Sequence, residues 1–353
     1  MTRAAVMVGT GSHLPPNVVR NDEVANRVGC DPEWIRSRTG VIERRRASID
    51  SATSDLAVAA AEHALKSAGL GAVDALVLAT TTPDHPCPAT GPSVASRLGL
   101  AGIAAFDVSS VCTGFLVGLA TGAGLISAGI AETALVIGAE TFSSLLNPAD
   151  RNTCAIFGDG AGAVVLRAGH PDEPGALGPF LLASDGNGTD LITVRAGGSR
   201  ERLAAQPYPS TDRYFTMAGR QVFWRAVQCM SDACRTVLDR AGWRVEQLDR
   251  LVCHQANIRI VRQLAGTLGV PIERCLANID RVGNTAAASI PIILDEADRA
   301  GELVAGDRVL LTAFGGGLSW GAVAMRWPEL SNRPIHLHHP DSPPPSGELN
   351  EDL

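Results

Sequence analysis

The chain predicts an α/β protein built from a duplicated unit, and three observations carry that prediction. Helix-like and strand-like segments alternate along most of its length, the pattern of α/β architecture. A helix–strand unit occurs twice, as "SDLAVAAAEHALKSAGLGAVDALVLATT" from Ser54 to Thr81 and as "SDACRTVLDRAGWRVEQLDRLVCHQA" from Ser231 to Ala256. A second pair follows in the same order, "FDVSSVCTGFLVGLATGAGLISAG" and "IDRVGNTAAASIPIILDEADRAG". With 353 residues, 45% of them hydrophobic, the chain can bury a large core as one large domain or two of ordinary size.

Taken in order, the N-terminal "MTRAAVMVGTGSHLP" has only a short apolar run. It lacks the apolar region of roughly 7–15 residues that a secretory signal needs. No stretch approaches the ~18 apolar residues of a membrane span, so a cytoplasmic protein with no membrane partner is expected. In the first unit Ser54-Asp55 suits a helix N-cap, Ala-Gly stops the helix, and an Asp leads into the strand "DALVLAT". The second unit repeats this from Ser231-Asp232 to "DRLVCH". Downstream, Cys112 lies 17 residues before Gly129 and Asn284 lies 17 before Gly301, which places them at equivalent helix starts. The strands "TALVIGAE" and "DRVLLTAFGGG" complete the two halves, residues 1–172 and 173–327. Residues 195–215 are polar and turn-rich and read as a surface excursion. From 328 to 353 the chain is Pro-rich and polar, a tail outside the core.

Bulk charge excludes some functions. A net charge of −7 and a pI near 5.6 argue against nucleic acid as a partner. The eight cysteines show no CxxC spacing and read as free thiols. "FGDGAG" at 157–162 lacks the spacing of a dinucleotide fingerprint. "IHLHH" near His336 sits in the tail with no other ligand, so no metal is expected.

Four features hold candidate chemistry. Cys112, in "DVSSVCTGFLVG", leaves a strand for a helix N-terminus, where free amides stabilise a thiolate. It reads either as a nucleophile or as a buried structural cysteine. His254 ends the core strand "DRLVCH", where α/β proteins place functional groups, or it is a satisfied structural histidine. Its neighbour Cys253 invites a dyad, but successive strand side chains point to opposite faces. Cys253 is therefore expected to pack in the core, and His254 needs a distant partner such as Cys112 or Asn284. "FGGGLSWG", from Phe314, offers backbone amides to an oxyanion or simply turns the chain.

Together, "VCTGF" with Cys112, "HQANIR" with His254, "GNTAAAS" with Asn284 and "FGGGLSWG" resemble the β-ketoacyl-acyl-carrier-protein synthase III family, of the thiolase fold. "EWIRSRTGV" and "DRNTCAIFGDGAGA" add to the resemblance, which runs from about residue 4 to residue 327. It implies a five-layer αβαβα sandwich and a ping-pong decarboxylative Claisen condensation. Cys112 would take the acyl group from an acyl-CoA. His254 and Asn284 would hydrogen-bond the thioester oxygen of malonyl-acyl carrier protein as carbon dioxide leaves. The amides of Cys112 and Gly316 would form the oxyanion hole.

The same resemblance assigns the binding of coenzyme A, which is a substrate portion; no permanently bound cofactor is implied. Trp34 and Arg151 match an adenine clamp, Arg38 a phosphate contact, and Gly219 and Asn257 positions near the pantetheine arm. Arg259 matches a basic carrier-protein docking position, and Arg262 is added as a second candidate beyond what the resemblance implies. A homodimer is implied too, with Cys87 standing where a phenylalanine often closes the acyl pocket across the dimer. The smaller residue implies a starter larger than acetyl. Ser109 and Ser110, with the long tail, lean the pathway toward polyketide priming rather than fatty-acid initiation. Two rivals remain, an acyltransferase that does not decarboxylate and a non-catalytic ketosynthase partner subunit. Asn284 favours condensation over the first, and the full Cys112/His254/Asn284 set argues against the second.

Overall fold

The computed structural model describes residues 3–330. Nearly all of the expected tail, including the histidines around His336, lies outside the described residues. The first sheet draws on residues 4–169 and the second on residues 177–326.

The first sheet contains β1 (Ala4–His13), β2 (Ala75–Ala79), β3 (Ala104–Val108), β4 (Thr133–Glu140) and β5 (Gly160–Gly169), in the spatial order β1-β5-β4-β2-β3. β2 is parallel to β3 and to β4, while β5 is antiparallel to β4 and β1. The second sheet contains β6 (Leu177–Ser184), β7 (Arg250–Cys253), β8 (Arg308–Gly315) and β9 (Ser319–Arg326), in the order β6-β9-β8-β7. Its sense is the same, with β7 parallel to β8 and β9 antiparallel to β8 and β6. The counterpart of β3 shrinks to one parallel bridge between Leu251 and Cys275. The duplication read from the sequence is thus a repeated sheet topology.

Layering follows from side-chain alternation. On β4, Leu135, Ile137 and Ala139 pack outward on α1 (Thr53–Ala68), whereas Ala134 and Val136 face inward. On β8, Leu310 and Phe314 face α3 (Gly219–Ala241) and α4 (Ile258–Leu268), whereas Val309, Leu311 and Ala313 face inward. Between the sheets lie α2 (Gly114–Ser127) and α5 (Ser289–Arg299), whose Phe115, Leu119, Ile290 and Ile293 share one core with both inner faces. This is the expected αβαβα sandwich.

Two local expectations change. Ser231-Asp232 does not cap a helix, because α3 already starts at Gly219. Val222, Ala226, Val227 and Met230 extend the buried stripe upstream, and Ser231 Oγ is satisfied inside the helix by Val227 O at 2.7 Å. The 17-residue count also aligned helix ends rather than starts. Gly129 and Gly301 take left-handed conformations just past the two helices, but α2 has 14 residues and α5 has 11. The residue equivalent to Cys112 is Ala287, not Asn284. Val111 (φ 46°) and Ala286 (φ 45°) match in the short helical turns that precede α2 and α5.

β1 crosses α1 at glycine. A Cβ on Gly11 would sit 2.3 Å from Ala64 N and 2.6 Å from Ala60 O, both rigid backbone atoms. Gly11→Ala is expected to lower unfolding free energy by about 2–3 kcal/mol through overpacking. A chemical denaturation midpoint equal to that of the parent would contradict this packing.

Candidate active site

Strand β3 ends at Val108, and the chain turns through Val111 into the helix that starts with Cys112. Val111 is β-branched and sits at φ 46°, a strained conformation that aims the next residue into the space between the sheets. Cys112 lines a narrow cleft with His254 and Asn284, so three separated sequence motifs meet there. Phe157, Phe215 and Met217 supply part of its apolar wall. Cys112, His254 and Asn284 are 8%, 2% and 4% exposed, so water has little access to their chemistry.

His254 follows the last residue of β7 and keeps the strand's pairing, its amide donating to Thr312 O at 2.8 Å. Cys253 packs with β8, α3 and α4 in the outer core, whereas His254 faces the cleft. The adjacent pair therefore diverges as the strand periodicity predicts. His254 Nδ1 lies 2.7 Å from Ser289 Oγ, and that oxygen also accepts the Gln255 amide at 3.4 Å. With Ser289 donating to Nδ1, the ring proton sits on Nε2. Among the described residues Nε2 has no hydrogen-bond partner. Burial pushes the imidazole pKa down to about 3, so the ring is neutral and serves as a donor.

Asn284 is fixed from both sides. Its amide donates to Ile156 O and its carbonyl accepts the Gly158 amide, both at 2.9 Å. Oδ1 accepts from Ala286 N at 2.9 Å, which leaves the side-chain NH2 as its remaining hydrogen-bonding group. Two neutral donors thus converge beside one sulfur.

The thiol differs from the expectation of a thiolate poised by a helix start. Burial, and then the charge of Glu140, push the Cys112 pKa up, so the resting group is a neutral thiol. The helix start is present, but desolvation outweighs it. Gly315 presses on this residue; a Cβ there would lie 2.9 Å from Cys112 N. The cleft is lined by Gly315, and Gly316 follows with its Cα turned toward Ile192 and Val111.

The remaining sequence candidates are spread around the mouth and beyond it. Trp34 lies on the helix Pro32–Thr39, and the Arg151 guanidinium stands 5.3 Å from its ring centroid. Asn257 caps α4 and donates Nδ2 to Arg38 O at 3.0 Å. Gly219 is exposed at the start of α3; neither it nor Asn257 lines the cleft. Arg259 and Arg262 are exposed on α4, with Arg259 5.6 Å from the Phe223 ring centroid. Cys87 is exposed, away from the cleft lining of its own chain.

Sequence reading missed Ser289 and Glu140. Ser289 ends the quoted "GNTAAAS", and Glu140 is the only charged residue of the apolar strand "TALVIGAE". A carboxylate at the buried end of an apolar strand was the available signal for the latter.

Comparison with known proteins agrees with this geometry. The family model described as 3-Oxoacyl-[acyl-carrier-protein (ACP)] synthase III matches residues 106–186, and the model of its C terminal matches residues 238–327. The chain is 62% identical over 330 residues to beta-ketoacyl-[acyl-carrier-protein] synthase III 3 of Streptomyces coelicolor, covering 93% of this chain and 98% of that protein. The crystal structure of 3-oxoacyl-(acyl carrier protein) synthase III, FabH, from Pseudomonas aeruginosa PAO1 superposes with a TM-score of 0.86 at 52% identity, covering 93% of this chain and 99% of that one. The priming β-ketosynthase from the R1128 polyketide biosynthetic pathway gives a TM-score of 0.86 at 34% identity, covering 93% and 97%.

Ser289→Ala would strip the hydroxyl from buried His254 Nδ1. An unsatisfied buried group costs about 1–3 kcal/mol, and urea denaturation should show a loss of that size. An unchanged midpoint would mean that the hydroxyl does not hold the ring.

Proposed function

We infer that this chain, which belongs to the 3-oxoacyl-[acyl-carrier-protein] synthase III family, condenses an acyl-CoA starter with malonyl-acyl carrier protein. The products are a β-ketoacyl-carrier protein, carbon dioxide and free CoA. The observation that carries this reading is the convergence of two neutral donors, His254 and Asn284, on the cleft that holds Cys112.

The first half-reaction is a thiol–thioester exchange. Cys112 Sγ bonds to the acyl carbon, the carbon–sulfur bond to CoA breaks, and the thiol proton leaves with CoA, so no net proton is needed. The Cys112 and Gly316 amides steady the tetrahedral oxyanion. In the second half-reaction the malonyl carbon–carboxylate bond breaks. Its electrons form an enolate whose oxygen takes hydrogen bonds from His254 Nε2 and Asn284 Nδ2. The enolate carbon then attacks the acyl carbonyl. Cys112 leaves as thiolate and regains one proton from solvent, so each condensation consumes one proton. A cationic His254 is not required; a neutral donor matches a charge that exists only transiently.

Coenzyme A enters past Trp34 and Arg151. Their guanidinium–indole pairing gives two flat faces for adenine, with Arg38 nearby for phosphate and Asn257 and Gly219 flanking the pantetheine path. Arg259 and Arg262 present positive charge on α4 to an acidic carrier protein. A homodimer is supported by β3, an edge strand paired on one side only. It would carry the exposed Cys87 to the partner's acyl pocket and leave that pocket deep enough for a starter larger than acetyl.

The step initiates a fatty-acid or polyketide chain. Ser110, one of the two serines that favoured the polyketide route, bonds Ser319 Oγ at 3.3 Å and so braces the glycine loop. A structural task for that serine removes much of its weight as a pathway signal. Among the described residues no helix is long and apolar enough to cross a membrane, which agrees with action in the cytoplasm.

Intact-mass measurement after incubation with a panel of acyl-CoAs is the direct test. One acyl adduct on Cys112, largest for starters beyond acetyl, is expected, followed by carbon dioxide release on adding malonyl-carrier protein. Cys253→Ala should keep both steps and Cys112→Ala should lose the adduct. Acylation without carbon dioxide release would overturn the condensation.

The pH dependence isolates the donors. In Cys112→Ala only His254 and Asn284 act on the malonyl thioester. Because His254 holds a pKa of about 3, its neutral form dominates well above that value. Malonyl decarboxylation by this variant should therefore be flat from about pH 5 to 7. A loss on acidification centred near the ordinary imidazole value of about 6.5 would contradict the neutral donor.

A further inference from the structure

The two halves can be equated residue by residue around the cleft. β2 pairs with β4 at Ala75–Ala134, and β7 pairs with β8 at Arg250–Val309, so Glu140 ends β4 where Gly315 ends β8. The turns before the central helices match as well. Thr113 N donates to Ser110 O at 3.0 Å, and Ala288 N donates to Thr285 O at 2.9 Å. With Val111 and Ala286 both at positive φ, the amide of Ala287 is the counterpart of the amide of Cys112.

The two amides have different neighbours. Gly315 lies against Cys112 N and brings no side chain. Its counterpart Glu140 sends a carboxylate onto the Ala287 amide. That carboxylate also accepts Thr81 N at 3.1 Å and Thr82 Oγ1 at 2.9 Å, and Glu140 is 0% exposed. Three donors and no cation surround it. Burial pushes its pKa up to about 8 against those donors, a cost that an apolar residue would avoid.

The Ala287 amide belongs to the turn that carries the decarboxylation donors. Ala286 N holds Asn284 Oδ1, and Ser289 Oγ holds His254 Nδ1. We propose that Glu140 is a positioning residue for decarboxylation: its carboxylate, anchored on the Ala287 amide, sets the 284–289 turn and through it both Asn284 and His254. This inference rests on the condensation reading above. It separates the two half-reactions, because Cys112 hangs on the other turn.

The same carboxylate charge raises the Cys112 pKa. Removing that charge while disturbing the turn therefore moves two readouts in opposite directions, which a merely structural residue would not do. In Glu140→Gln the side-chain NH2 faces donors, so the turn shifts while the charge is gone. In Glu140→Asp the charge stays but the shorter arm retracts from Ala287.

The experiment uses the full chain with an acyl-CoA that acylates the parent, malonyl-carrier protein, and iodoacetamide as the thiol probe. Carbon dioxide release is expected to fall about 10- to 100-fold in both variants, the scale of a small misplacement. Acyl-adduct formation on Cys112 should stay within about threefold in both, on the same scale of effects. Alkylation of Cys112 at a fixed pH should rise severalfold in Glu140→Gln and stay at the parental rate in Glu140→Asp. Carbon dioxide release within twofold of the parent in both variants would overturn the proposal, as would acylation and decarboxylation falling together. A parent that neither acylates nor decarboxylates would instead sink the condensation reading. If neither variant folds, hydrogen exchange of segment 284–289 in the parent decides. Strong protection supports the anchored amide, and exchange within seconds refutes it.

Discussion

Two helices have to start almost in contact, between two sheets, and the rest of the cleft depends on how that crowding is met. The turns at 111–113 and 286–288 pack on each other. Side chains at the junction are small: a Cβ on Gly114 would already lie 3.2 Å from Ala79 Cβ and 3.3 Å from Ala287 Cβ. Each turn enters its helix through a non-glycine residue at positive φ, a strain of order 1–3 kcal/mol apiece. The buried apolar sides of α2 and α5, with Phe115, Leu116, Ile290 and Ile293, hold the helices in place against it. The first amides of both helices lack intrahelical acceptors, so both N-termini direct positive potential at one region. A reaction that develops negative charge on oxygen twice is suited to such a junction.

That potential explains why the side chains can be neutral. A buried imidazolium would have to be desolvated in every resting state, and burial instead holds His254 uncharged. Donor direction then matters more than charge, and it is set by neighbours outside the cleft chemistry. Ser289 selects the tautomer, and Ala286 N turns the Asn284 amide so that its NH2 remains available. Arg44 acts one step further back. Fully buried, it donates to Ala155 O at 2.8 Å and Asn21 Oδ1 at 2.7 Å, bracing the segment whose Ile156 carbonyl and Gly158 amide clamp Asn284.

Much of the fold was legible because it depends on patterns that the chain repeats. Apolar strands after Ala-Gly helix stops fixed the α/β order, and period-two alternation correctly sent Cys253 and His254 to opposite sides. Cys112, His254 and Asn284 were readable because each ends or begins an element, where few side chains have a packing reason to be polar. Glu140, Ser289 and Arg44 were not, since their roles arise from contacts 58 or 59, 35 and 111 residues away along the chain. The thiol's protonation was misjudged for a related reason. A helix start is visible locally, but the desolvation that overrides it is a property of the assembled layers.

The duplication also explains why the chain has one cleft of this chemistry rather than two. At matched positions His254 faces Ala79, Asn284 faces Ser109, Cys112 faces Ala287 and Gly315 faces Glu140, by the same strand and turn registers. Two complete sets would place two thiols and two imidazoles at touching helix starts, with no small residues left to let the helices meet. The half that gives up reactive groups can instead spend its free amide on a side chain, and only an acceptor can satisfy a buried amide there. A carboxylate does so more strongly than a neutral oxygen because the hydrogen bond is charge-assisted. Its proximity to Cys112 then keeps the thiol protonated until an acyl donor arrives, so the fixed half of the junction restrains the reactive half.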